Sequence, residues 1–154
     1  VKQTLFMETT GIDAGRSAAE IVAELVKAGA TAINTDYEGG VIIGLRWVMK
    51  VRGVDQLFSM PVRIAPVEKL LLARRKGRPT SIDDRARIAE QARRVAWRQL
   101  LRWTQAQMAM IQCGMAESAE VFFAYLQSPG GVSIFEVFAE QGLRMLPPGE
   151  DKPQ

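Results

Sequence analysis

Histidine is missing from all 154 residues, and cysteine occurs once. Without imidazole the chain has no Ser-His-Asp or Cys-His catalysis and no His-containing zinc site. It also lacks a side chain that titrates unperturbed near neutrality. The lone Cys113 forms no intrachain disulfide and suits a reducing compartment. No apolar run approaches the roughly 18 residues that a membrane span needs, and no charged-then-apolar leader opens the chain. These absences give the expectation of a soluble, cytoplasmic, non-catalytic protein with no cofactor, no metal and no membrane partner.

What is present is enough for one folded unit. Hydrophobic residues make up 47% and charged residues 24% of the chain, sufficient for a compact domain with a real core. The net charge is only +3, but 16 of the 20 Lys and Arg lie between Lys27 and Arg102. A lopsided positive field of this kind fits a polyanionic partner.

The hydrophobic pattern predicts an α+β fold, with residues 1–145 as a single domain and 146–154 as a flexible tail. Residues 1–66 read as a β-α-β-β-β meander sheet packed with helices. The opening strand is the apolar, Thr-rich stretch Thr4 to Thr10. A helix capped by Asp13 or Ser17 then ends at Gly29. Thr31 to Tyr37 is the next strand, and Glu38-Gly39-Gly40 turns the chain into Val41 to Val51. In that strand Val41, Ile43, Leu45, Trp47, Met49 and Val51 alternate onto one face, leaving Arg46, Lys50 and Arg52 on the other. Gln56 to Ile64 pairs back and carries Arg63 near its end.

Residues 67–145 read as helical. Pro66 opens a helix from Val67 to Arg75, and a basic loop follows through Arg74, Arg75, Lys76 and Arg78. A long arginine-rich helix spans Ser81 to Cys113, with Ser81 as its cap and Gly114 as its stop. Two shorter helices complete the chain, from about Glu117 to Leu126 and from Ser133 to about Gln141.

The long helix carries three stripes. Ile88, Ala92, Val95, Ala96, Gln99, Leu100, Trp103, Ala106, Gln107 and Met110 form a broad core-type arc. Arg87, Arg94, Arg98 and Arg102 share a second arc. Trp97, Leu101 and Met108 make a third line with two readings, a docking interface for another chain or the completion of burial in the core.

Guanidinium groups neutralise phosphates and release counterions, so the cationic set is the candidate nucleic-acid surface. Arg46, Lys50, Arg52 and Arg63 are expected to form a sheet-face platform. Arg87, Arg94, Arg98 and Arg102 would follow the backbone, with Arg74, Arg75, Lys76 and Arg78 reaching an adjacent phosphate. Carboxylates give little chemistry: Asp36 and Glu38 abut a glycine turn, and Glu8 fits a polar strand end. Gly39-Gly40 and Gly130-Gly131 lack phosphate-loop spacing.

Three segments together carry a resemblance. They are Phe6-Met7-Glu8-Thr9-Thr10, then Val95-Ala96-Trp97-Arg98-Gln99-Leu100 with Arg102-Trp103 and Ala106-Gln107, then Glu120-Val121-Phe122 with Tyr125-Leu126. The pattern resembles a group of small proteins of tailed phages and prophages, over most of residues 5–140. The resemblance implies an accessory role in the host cytoplasm and carries over no catalytic residue. Two functions follow as expectations: nucleic-acid binding (DNA or RNA) through basic sheet and helix faces, or a protein-interaction or oligomer-forming module. The latter would be an inhibitor of host defence or a virion-associated part, its partner a host or phage protein or another copy. The helix–three-strand–helix order is formally that of a double-stranded-RNA-binding domain, a fold-level analogy only.

Overall fold

A computed structural model describes residues 4–77, 79 and 81–142. The fold is α+β: one antiparallel sheet of three strands, with helices on one of its faces. The proposed tail, 146–154, lies outside the described residues.

Helix α1 (Ala14–Lys27) starts where Asp13 accepts a hydrogen bond from the Gly15 amide, and it ends at Ala28 with Gly29 at φ 95°. Of the two expected caps Asp13 serves; Ser17 is buried inside the helix. Strands β1 (Ala30–Glu38), β2 (Val41–Val51) and β3 (Val54–Pro61) follow as a meander in the order β1-β2-β3. The two turns need left-handed backbone: Gly39 and Gly40 supply one, while Arg52 (φ 48°) and Gly53 (φ 86°) form the other.

One sheet face forms the core. Leu45, Trp47, Met49, Phe58 and Met60 point inward and are buried with Ile21, Leu25, Trp97, Leu101, Met108 and Phe122. Trp47 stacks on Phe58 with centroids 5.5 Å apart, and Phe122 meets Trp47 edge-on at 5.4 Å. Each such pair adds about 0.5–1.5 kcal/mol beyond the burial of its area. The alternation of β2 breaks at a bulge: Asp36 pairs with Gly44 and Tyr37 with Ile42, so Ile43 is the extra residue. Ile42, rather than Ile43, therefore packs on the core.

Helix α2 (Ile64–Arg74) begins three residues before its expected start. Pro66 stands at the third helical position, tolerated because first-turn N–H groups have no intrahelical acceptor. Helix α3 (Ile82–Gln112) runs about 46 Å at 1.5 Å per residue. Ser81 caps it through the Asp84 amide, and Gly114 ends it, with Met115 N donating to Met110 O at 2.9 Å in a Schellman closure. The expected helix over 117–126 is shorter: α4 (Ser118–Phe122) gives way to a 3₁₀ turn, Phe123–Tyr125. Leu126 then bridges to Phe58 on the edge of β3. Helix α5 (Ile134–Glu140) has the expected capping box of Ser133 and Glu136.

The first strand is absent. Residues 6–9 form a turn, with Glu8 N donating to Leu5 O and Thr10 N to Met7 O, and Met7 at φ 63°. The order is therefore α-β-β-β-α, not β-α-β-β-β.

Candidate nucleic-acid interface

The interface reading of Trp97, Leu101 and Met108 is corrected by burial. Their exposures are 0%, 0% and 4%, and Trp97 Nε1 donates to the Ile42 carbonyl at 3.2 Å. They dock α3 onto the sheet and present nothing to a second molecule. Of the broad arc expected to form the core, Ala92, Val95 and Ala96 are buried, whereas Leu100 and Trp103 are half-buried and Ala106 is exposed.

The basic residues do not converge as one surface. Arg46 and Lys50 do project from the outer face of the sheet, opposite the helices, but each meets a carboxylate. Arg46 Nη2 lies 2.6 Å from Asp36 and Lys50 Nζ 2.9 Å from Asp55. Arg52 occupies the β2–β3 turn and reaches Glu117 at 3.4 Å. Arg63 lies beyond β3 at the cap of α2, off the sheet face, because the strand stops at Pro61. The four-residue platform is thus two paired cations.

On α3 the arginine arc is also partly neutralised. Arg98, its side chain 14% exposed, is 3.5 Å from Glu20 of α1. Arg94 Nε is buried 3.3 Å from Glu90, out of line for a hydrogen bond. Arg102 donates to Gln105 in the next turn. Arg87 is exposed, and no ion pair of its own is seen among the described residues.

A different grouping emerges at the α2–α3 hairpin. Its helices pack on each other, with Ile64, Val67, Leu71 and Arg74 half-buried at helical spacing on α2. No residue of α2 is buried, and none of α3 is before Ala92. Arg75 Nη2 lies 2.7 Å from Asp84 across the tip, and this hydrogen bond raises the Arg75 pKa above its ordinary value. Residues 63–94 hold ten of the twenty Lys and Arg and four of the seventeen Asp and Glu, a net of +6; the rest of the chain nets −3. Lys69, Lys76, Arg85 and Arg87 are all exposed here. Arg78 belongs to this segment by sequence but lies outside the described residues. Sequence reading missed the grouping because it counted sheet and helix cations together; only the packing of α2 on α3 separates them.

Arg74, at the base of the α2–α3 loop, approaches Glu8 at 3.4 Å, and the same carboxylate accepts from the Leu5 amide at 3.0 Å. Glu8 is thus a structural tie for the N-terminal turn.

A cleft of about 750 Å³ opens between β3, α3 and α5, bordered by Arg63, Gln99, Trp103, Tyr125, Gln127 and Glu136. Three of its polar side chains already serve the fold. Gln99 donates to Phe6 O, Gln127 to Tyr125 O, and Glu136 accepts from Ser133. Among the described residues no group of three or more His, Cys, Asp or Glu is placed to hold a metal ion, and no helix is long and apolar enough to cross a membrane. In comparison with known proteins, no family model, curated protein or solved structure matches the chain. The analogy to a double-stranded-RNA-binding domain also loses its basis, since α2 packs on α3 rather than on the sheet.

Proposed function

We propose that this chain is a non-catalytic accessory protein that binds nucleic acid through the basic α2–α3 hairpin. The observation that carries the reading is charge segregation: a net of +6 over residues 63–94 against −3 for the remainder. Phosphate neutralisation by a projecting hairpin requires no base-specific pocket, so the expected affinity is largely sequence-independent and salt-sensitive. The outer sheet face contributes little, because Asp36 and Asp55 already occupy Arg46 and Lys50. An accessory role agrees with what the resemblance to phage and prophage proteins implies.

A protein partner is the second reading. Leu70, Leu72 and Ile82 are exposed on the same hairpin, Ile82 at 86%. An acidic protein with an apolar centre would fit both features. The test is fluorescence anisotropy with labelled single- and double-stranded DNA and RNA at several salt concentrations. A steep negative slope of log K against log salt supports phosphate contacts, at about 0.9 per contact for duplex DNA. No binding at physiological ionic strength removes the nucleic-acid reading and leaves the protein partner.

A further inference from the structure

The free edge of β1 is the feature that neither the core nor the basic hairpin explains. β1 is nine residues long, contains no Pro or Lys, and forms one margin of the sheet. Among the described residues only β2 and α1 pack on it to any extent. The other margin, β3, is engaged at its centre: Gln127 N donates to Leu57 O and Leu126 bridges to Phe58. Left uncovered by the described residues, an edge of this length is a template for strand addition.

Register shows which groups are open. Val51 and Val54 flank the two-residue β2–β3 turn, so the odd-numbered residues of β2 direct their backbone groups toward β3. On the C-terminal side of the Ile43 bulge the even-numbered Gly44, Arg46 and Val48 direct theirs toward β1, where they meet Asp36, Asn34 and Ala32; the bulge restores the alternation so that Glu38 meets Val41. Ile33, Thr35 and Tyr37 therefore turn their N–H and C=O groups outward, away from β2.

We propose that this edge pairs with the same edge of a second copy, antiparallel and with a two-fold axis at Thr35, joining two three-stranded sheets into one. In that register Thr35 faces Thr35 of the second copy, and Ile33 faces its Tyr37. Every outward N–H and C=O of these residues then has a partner. The side-chain pairs are those that stabilise antiparallel sheets, Thr with Thr and an aromatic with a β-branched residue. Tyr37, 63% exposed in the single chain, gains a neighbour. Charge selects the orientation. Antiparallel pairing sets Asp36 beside Asn34 and Glu38 beside Ala32, whereas parallel pairing stacks each carboxylate on its own copy.

The test is sedimentation of the full chain together with amide exchange. The wild type is expected at twice its 17.0 kDa mass, with concentration-dependent protection of the Ile33, Thr35 and Tyr37 amides. Thr35→Pro removes an outward donor without touching the β1–β2 ladder and is expected to give monomer. Tyr37→Lys alters an exposed side chain at the seam and is expected to weaken dimerisation at least tenfold; it decides the matter should Thr35→Pro misfold. A wild type that stays monomeric at about 100 μM overturns the proposal. So does a dimer that persists in folded Tyr37→Lys with those three amides unprotected.

Discussion

Gln91 Nε2 donates to two carbonyls of one turn, that of Glu8 at 2.8 Å and that of Thr10 at 3.0 Å. Two helical turns along α3, Gln99 Nε2 donates to the Phe6 carbonyl at 2.7 Å. The two amides clamp residues 6–10 against the helix and replace the ladder that a strand would have supplied. Gln91→Ala leaves both carbonyls without this donor in a half-buried site. The expected loss is about 1–3 kcal/mol in urea unfolding, with the secondary structure unchanged by circular dichroism. A loss below about 0.5 kcal/mol, the level of an ordinary surface change, would show that the clamp does not hold the turn.

This clamp also shows where local pattern ceases to inform. Thr4 to Thr10 has the composition of a strand, and the residues that bend it into a turn lie 81 to 93 positions away. The long helix was legible because its signals are local: Ser81 before the first turn, Asp83 and Asp84 within it, and Gly114 after the last. The Gly39-Gly40 turn that leads into β2 was legible for the same reason. The fate of Glu117 to Leu126 was not. Phe122 is drawn into contact with Trp47, Phe58 and Trp103, and Leu126 is held by β3, so the helix tightens and stops. The cations were legible as a set, but the pairing of Arg46 with Asp36, Lys50 with Asp55 and Arg98 with Glu20 depends on tertiary placement.

Leu101 distinguishes core from interface. It is fully buried between α3 and the sheet, so Leu101→Ala is expected to cost about 2–5 kcal/mol through lost burial and a residual cavity. In a chain of this length each kcal/mol lowers the melting temperature by about 2–4 °C. Thermal unfolding checks the size of the effect. A variant with unchanged stability but altered self-association would return Leu101 to an interface role.

Charge reversal separates the hairpin from the sheet. Arg85→Glu with Arg87→Glu is expected to weaken nucleic-acid binding strongly and reduce the salt slope by about 1.8, at 0.9 per lost phosphate contact. Arg46→Glu with Lys50→Glu is expected to leave both nearly unchanged in the same anisotropy titration, because those cations already face carboxylates. Equal losses from the two double variants would restore the sheet face to the binding surface.

The α5 capping box has a defined pH response. Glu136 accepts hydrogen bonds from the Ser133 amide at 2.9 Å and the Ser133 hydroxyl at 2.8 Å. The amide bond and then the hydroxyl bond lower its pKa beneath the ordinary 4.5; burial opposes them by less, and the nearby Arg63 charge adds the smallest lowering. A folded value below the unfolded one means that the contribution to stability is present above the unfolded pKa. It is lost as the solution is acidified through the folded value. Glu136→Gln keeps the shape and a neutral acceptor but removes the charge. The wild type is therefore expected to be the more stable protein at neutral pH, with the gap closing as the solution is acidified below the ordinary carboxylate range. Paired denaturation curves across the acid range check this. A gap that stays constant with pH would mean that the ionised carboxylate is not what closes the cap.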